Sequence, residues 1–321
     1  MDFFEEILEQ AKHVAILGHV RPDGDCVGSC LGLKNYLKNK YPQIAVQVYL
    51  EPFSDCFGFL NGAEEISHDP EDGSVYDLCI ALDASDRERL GRFVSYFNTA
   101  EATACVDHHV TNQGYAGKSV ICPDRSATCE ILYTLMDGVC VDKAVAECLY
   151  MGIVHDTGVF KHSNTTRETM RIAGELIERG INFSEIIDRT FYEKTYKQNR
   201  ILGRMLEESV LFMDGLCIFS VLRQKTMDYY EADTRDLDGI IDQLRITKGV
   251  ECAIFLYETA SQEYKVSMRS NRVVDVSRIA AYFGGGGHVR AAGCTMAGSP
   301  YDVLNNLSEQ IEKQLIKARL R

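Results

Sequence analysis

Residues Val106–Asn112 read VDHHVTN, and the apolar run ATACV in front of them stops abruptly at Asp107, His108 and His109. Such a run reads as a short strand that delivers three ionisable groups to the end of a sheet. Desolvating those groups costs free energy unless something compensates them. A divalent metal is one compensation, because imidazole and carboxylate are both ligand types. A hydrogen-bonded polar turn is the other. The tripeptide alone leaves both open, and the choice turns on whether acids and histidines recur in the same setting.

They do recur. VAILGH at 14–19 reads as a strand, Pro22 and Gly24 in the next stretch force a turn, and helical spacing resumes over 27–37. Strand, tight loop and helix start is the geometry in which α/β sheets present ligands beyond their carboxyl ends. His19, Asp23 and Asp25 crowd that loop, and the two aspartates flank a glycine, so both can point the same way. A capping aspartate explains one acid easily, and two plus a histidine poorly. IAVQVYL (44–50) is a second strand, VYDLCIALDAS (75–85) a third carrying Asp83, and ATACVDHH the fourth. SATCEILYTLMDG and AVAECLYMGIVHDTG read as helices. The second carries Asp156 near its C-terminus, against the dipole preference, so a cation is expected nearby.

The first three clusters follow strands of an expected parallel sheet, so their side chains should converge on one edge. A set richer in carboxylate than imidazole, with no thiolate, suits manganese or magnesium better than structural zinc. So many donors are too many for one metal that must also bind water and substrate. They suit two metals about 3.5–4 Å apart sharing a carboxylate, the arrangement used on phosphate esters.

The chain has 321 residues, enough for two domains, with 45% hydrophobic and 25% charged residues as in ordinary globular proteins. Acids outnumber bases 47 to 34, a net charge of −13. A protein that grips long nucleic acid usually carries a basic stripe, so long duplexes are excluded as partners. The 12 cysteines include no CxxC pair, and several lie in apolar runs where a thiol acts as a small hydrophobe. The acidic, amphipathic start is unlike a signal peptide, and no apolar run nears about 18 residues. A reduced, cytoplasmic protein without membrane contact is expected.

Helical stretches fill 168–210, and the inter-domain connection is placed at 191–205, between domains 1–190 and 206–321. VLFMDGLCIFSVL (210–222) is a hairpin around Asp214-Gly215. TRDLDGIIDQLR reads as one helix, ECAIFLYET and EYKVSMRS as strands, VSRIAAYF as a helix, and the C-terminal stretch as a helix capped by Ser299. The second domain is thus α+β, with about five strands. Its four consecutive glycines, Gly284–Gly287, cost too much backbone entropy to be filler. They let main-chain N–H groups approach an anion as a phosphate nest, with His288 beside them. The alternative is an unusually flexible loop. Arg269, followed by Ser270 and Asn271, ends the EYKVSMR strand, and its planar fork suits phosphate.

HVRPDGDCVGS, ALDASD, VDHHVTN and GIVHDTGVF together resemble the four ordered motifs of the DHH phosphoesterase superfamily. The second half resembles its DHHA1 partner domain, through SMRSN and GGGGHVRAAG. The resemblance covers nearly the whole chain and is nearest to the NrnA-type group of oligoribonucleases (nanoRNases) and 3′-phosphoadenosine-5′-phosphate (pAp) phosphatases. It implies an α/β DHH domain with a mostly parallel sheet flanked by helices, and a smaller α+β DHHA1 domain for substrate. It implies one metal on His19, Asp23 and Asp83, and another on Asp25, Asp83, His108 and Asp156, with Asp83 as bridge. Asp107 would orient its neighbours, and His109, taken to point the other way along the strand, would face phosphate during in-line attack by a bridging hydroxide. Gly285, Gly286, Gly287, His288, Arg269, Ser270 and Asn271 would hold the nucleotide. Cys26 and Cys30 replace the small residues usual there, without disturbing the ligands. DRSATCE (124–130) also resembles a family motif near the site, but a helix cap at Ser126 is the better reading of it.

Two Mn²⁺ ions, with Mg²⁺ as the alternative, and short RNA or small adenosine nucleotides are therefore the expected cofactors and substrates. Cyclic di-AMP or pApA phosphodiesterase activity is the nearest alternative. A manganese pyrophosphatase would share the DHH half but usually lacks GGGGH, and a silent nucleotide-binding module would not need all six ligands. A homodimer is left open.

Overall fold

The computed structural model describes residues 3–70 and 73–319 and forms two compact units, Met1–Glu193 and Lys194–Arg321. The first opens with helix α1 (Phe3–Leu8), strand β1 (His13–Leu17), helix α2 (Gly24–Lys40) and strand β2 (Ala45–Tyr49). Strand β3 (Leu78–Leu82), helix α3 (Val94–Thr99), strands β4 (Ala102–Asp107) and β5 (Lys118–Ile121), and helices α4 (Thr128–Leu135) and α5 (Lys143–Asp156) follow. Helices α6 (Arg167–Ile177) and α7 (Phe183–Ile187) close the unit. The sheet runs β2-β1-β3-β4-β5 with every pair parallel. Strand β5, absent from the sequence reading, is four residues long, two polar and exposed and two apolar and partly buried, too short to stand out as an apolar run.

The central strands are apolar throughout because both faces of the sheet are covered. Val14, Ile16, Leu78, Ile80, Leu82, Ala104 and Val106 share a core with α2, α4 and α5. The alternating residues Ala15, Leu17, Cys79, Ala81 and Cys105 pack instead with Tyr49, Phe93, Tyr96 and Phe97. On the first face α2 and α5 approach closely. A Cβ on Gly28 would lie 2.5 Å from the Cys148 carbonyl oxygen, and one on Gly152 would lie 2.9 Å from Asp25 Oδ1. Those glycines let the start of α2 and the end of α5 meet at the carboxyl edge of the sheet.

In the second unit come helix α8 (Tyr196–Glu207), strands β6 (Val210–Phe212) and β7 (Cys217–Leu222), and helices α9 (Gln224–Tyr230) and α10 (Ile240–Arg245). Strands β8 (Cys252–Ala260) and β9 (Glu263–Ser270), helix α11 (Val276–Tyr282), strands β10 (Gly286–His288) and β11 (Ala291–Ala297), and helix α12 (Pro300–Arg319) complete it. The sheet has six strands, not five, in the order β10-β11-β9-β8-β7-β6. Within this sheet only β7 and β8 pair in parallel among the described residues. The strands not assigned from the sequence are β10, made from the glycine run itself, and β11 beside it.

Three local expectations are corrected. Much of the connection placed at 191–205 is helix α8, started by a capping box between Thr195 and Gln198 and anchored by buried Ile201 and Met205. TRDLDGIIDQLR is broken at Gly239, where φ is 83°, into a 3₁₀ turn (Thr234–Leu237) and α10. Ser126 does not cap α4: the cap position is Ala127, and the Ser126 hydroxyl donates to Glu130.

Candidate metal centre

Each cluster singled out from the sequence lies just beyond the carboxyl end of a strand or at the end of a helix. His19 follows β1 and is buried. Its Nδ1–H donates to the Val20 carbonyl at 2.8 Å, which leaves Nε2 as the free ligand atom. That Nε2 lies 3.6 Å from Asp23 Oδ1 and 3.4 Å from Asp83 Oδ2. Asp83 follows β3 with a left-handed φ of 56° and donates its backbone N–H to Val106 at 3.1 Å. Such backbone is uncommon outside glycine, though aspartate tolerates it better than most, and it clusters at functional sites. The other oxygen, Asp83 Oδ1, lies 3.5 Å from His108 Nε2, which in turn is 3.1 Å from Asp156 Oδ2. Donor atoms of Asp25, His108 and Asp156 all fall within 4.8 Å of one another. Asp83 thus offers one oxygen to the His19 and Asp23 side and the other to the side of His108, near Asp25 and Asp156.

His109 is placed differently from the sequence reading. Strand β4 ends at Asp107, so His108 and His109 lie beyond it and strand alternation does not separate them. Both rings approach Asp83 Oδ1, and their centroids are 4.8 Å apart. What distinguishes them is their partners. His109 Nδ1 donates to Asp107 Oδ1 at 2.7 Å, and fully buried Asp107 also accepts from Asn112 Nδ2 at 2.7 Å. His109 is therefore held by protein, whereas His108 faces Asp83 and Asp156.

Burial opposes charge on His19, but its contacts with Asp23 and Asp83 outweigh that and raise its pKa. Burial also opposes protonation of His108, yet the Asp156 contact and the charges on Asp25 and Asp83 lift it to about 10. Asp23 is depressed to about 2 despite burial, mainly through His19. Asp25, with no exposure, is pushed well above the carboxylate range by burial and by Asp83 and Asp156; Asp83 is raised chiefly by burial. Imidazolium protons thus do the work of cations in this cluster, and among the described residues the ion-pair partners of Asp23, Asp83 and Asp156 are all histidines. Converging, desolvated oxygen and imidazole donors fit divalent cations, which would displace those protons.

Sequence reasoning missed three neighbours. Cys26 Sγ accepts from His19 N at 3.2 Å and stands in one candidate ligand group with His19 and Asp83, although its buried thiol is held well above its usual pKa. His155 packs against Phe57 and Phe191, and its buried Nε2 has no hydrogen-bond partner. The Thr128 hydroxyl donates to Asp83 Oδ1 at 3.1 Å. None belongs to the acid-and-histidine pattern after strands, and only the adjacency of His155 to Asp156 and the place of Thr128 within DRSATCE hinted at them.

In the second unit the expected substrate residues divide. Arg269 Nε lies 3.7 Å from Asp242, and its side chain is partly exposed. Ser270 is buried and donates to the Val274 carbonyl at 2.6 Å. Asn271 Nδ2 donates to the Arg245 and Val250 carbonyls, and its Oδ1 accepts from Arg245. Those hydrogen bonds brace the end of β9, with the Ser270 side chain buried and Asn271 exposed. The glycine run is not an open nest either. A Cβ on Gly285 would sit 2.2 Å from the Gly293 carbonyl oxygen, and one on Gly287 would sit 2.5 Å from that of Ala291. Both are needed for close approach to β11, while Gly286 faces open space and His288 is exposed.

Residues 13–153 match the DHH family, N-terminal domain, and residues 217–317 match the DHHA1 domain. The bifunctional oligoribonuclease and PAP phosphatase NrnA of Thermus thermophilus is 32% identical over 325 residues, covering 99% of this chain and 95% of that relative.

This chain belongs to the DHH phosphoesterase family.

The NrnA protein of Bacillus subtilis, carrying the same description, is 26% identical and covers 87% of each chain. The crystal structure of an exopolyphosphatase-related protein from Bacteroides fragilis superposes with a TM-score of 0.87 at 26% identity, covering 97% of this chain and 94% of that one. DHH phosphoesterases depend on divalent metal, and the clusters around Asp83 supply acidic and imidazole donors for it. No helix among the described residues is long and apolar enough to cross a membrane.

Proposed function

We propose that this DHH phosphoesterase uses two manganese ions to hydrolyse very short RNA and 3′-phosphoadenosine 5′-phosphate to mononucleotides. The observation that carries the reading is the Asp83 carboxylate, 3.4 Å from His19 through one oxygen and 3.5 Å from His108 through the other. Similarity over nearly the full length to relatives named for these two activities supports the substrate class. His19, Asp23 and Asp83 would hold one ion, and Asp25, Asp83, His108 and Asp156 the other. When bound, the ions supply an activated water and neutralise charge on the phosphoryl group.

The protein's own part is orientation and proton placement. Asp107 fixes the His109 ring through Nδ1 and raises its pKa, so that Nε2 carries a proton toward a phosphoryl or leaving oxygen. Val20 fixes His19 in the tautomer whose Nε2 is a ligand. Of the second-unit residues, Arg269, Gly286 and His288 are proposed to bind nucleotide; Ser270, Asn271, Gly285 and Gly287 frame them. A cytoplasmic setting belongs to the proposal and accords with twelve free cysteines.

A length series of 5′-labelled RNAs with manganese, alongside pAp, pApA and cyclic di-AMP, tests the reading. With a net charge of −13 there is no general grip on a long backbone, so kcat/KM should fall beyond roughly five nucleotides. Equal or better cleavage of a 20-mer, or preference for a cyclic dinucleotide, would overturn the substrate assignment.

A further inference from the structure

The segment Asp124–Glu130, whose serine does not cap α4, presents a different residue to the metal centre. Thr128, fully buried in the first turn of α4, touches two of the carboxylates at once. Its backbone N–H donates to Asp25 Oδ2 at 2.6 Å, and its hydroxyl donates to Asp83 Oδ1 at 3.1 Å. The next residue completes the hold on Asp25, with Cys129 N donating to Oδ1 at 3.0 Å.

The start of α4 is itself fixed. Fully buried Glu130 turns back to accept from Ser126 N at 3.2 Å and from the Ser126 hydroxyl. It also accepts from Thr169 Oγ1 at 2.9 Å and from Arg125 Nη1 at 3.0 Å. The Thr128 hydroxyl therefore leaves a braced helix start, and its direction is set before any ligand arrives.

A carboxylate that serves two cations must keep its plane turned so that one oxygen reaches each. The terminal torsion of aspartate is broad and soft, so that plane is not set by the side chain alone. Asp83 Oδ1 faces His108 and Oδ2 faces His19. A single donor on Oδ1 is enough to hold this division.

We propose that Thr128 is a positioning residue of the metal centre, whose hydroxyl sets the plane of the Asp83 carboxylate so that it bridges. Thr128 does not touch substrate; it acts through Asp83, and this role rests on the two-metal reading above. Loss of such an outer partner costs metal affinity roughly 10- to 100-fold in known sites.

Thr128→Val removes the hydroxyl while keeping the shape and the N–H to Asp25, and Thr128→Ser keeps the hydroxyl. Metal-stripped wild type and both variants are titrated with Mn²⁺, counting bound ions and following the electron paramagnetic resonance of the coupled pair. Wild type should take up two ions. Thr128→Val should bind the weaker ion roughly 10- to 100-fold less tightly and lose the coupled signal, with Thr128→Ser close to wild type. Metal-free circular dichroism should be alike in all three, with Thr128→Val melting somewhat lower for the loss of one buried hydrogen bond. If Thr128→Val does not fold, Thr128→Ala, which also keeps the N–H, is compared with serine instead. Wild-type affinity in the hydroxyl-free variant overturns the proposal, as does a serine variant no better than valine. A wild type that takes up fewer than two ions removes the two-metal reading, and the positioning role with it.

Discussion

Replacing Asp83 with asparagine keeps the side-chain volume and removes the charge that both halves of the site share. Asp83 is 2% exposed, so nothing else replaces its oxygens without a backbone shift. Loss of an outer-shell partner weakens a metal about 10–100-fold. A direct ligand to two ions should cost at least that at each, about 10²–10⁴-fold in the product of the two affinities. This corresponds to about 3–5 kcal/mol of metal-linked stability. The metal-free protein should respond in the opposite sense. Burial raises the Asp83 pKa, so the ionised form opposes folding above that pKa, and a neutral amide removes the penalty. Calorimetry with and without Mn²⁺ should then show a metal-free melting temperature equal to or above wild type, and little or no rise on adding metal. A variant that still binds two ions and gains the wild-type increment would refute the bridging role.

His108→Ala should lose bound metal first, whereas His109→Ala should keep its metal and lose kcat, because His109 is tied to Asp107 and His108 faces Asp83 and Asp156. Equal metal loss in both, by elemental analysis, would contradict that division. Since His19 and His108 hold protons above neutrality in the metal-free cluster, manganese must displace them. Apparent affinity should therefore rise between pH 6 and 8, about tenfold per pH unit for each proton released, with release read calorimetrically in buffers of different ionisation enthalpy; a pH-independent affinity would contradict it. Gly285→Ala should destabilise the second unit by about 1–3 kcal/mol, because its Cβ meets the Gly293 carbonyl of β11, while Gly286→Ala should be nearly neutral. Equal denaturation midpoints for the two would show that the glycine run is not packed as described.

The parallel sheet and its charged edge were legible because buried central strands leave apolar runs, and because His19, Asp83 and the residues after Val106 follow such runs directly. Long-range partners were not legible. The bond from Asn112 to Asp107 that immobilises His109, and the reach of Thr128 to Asp83, depend on tertiary placement. Alternation failed for His108 and His109 because strand pairing stops one residue too early. The glycine run reads as a loop from composition alone, yet two of its members are glycine for lack of space beside β11. Ser270 and Asn271 are polar and follow a strand, but their hydrogen bonds are spent on carbonyls of their own unit. Polarity after a strand thus marks a site only when the groups converge, as they do around Asp83.

The most direct measurement is a titration of the metal-stripped protein with Mn²⁺, scored at each step by hydrolysis of a diribonucleotide and by the number of ions bound. The two-metal account predicts negligible turnover without metal, little with one equivalent, and full activity when the second ion is bound. Full activity at one ion per chain, or turnover by the stripped protein, would contradict it.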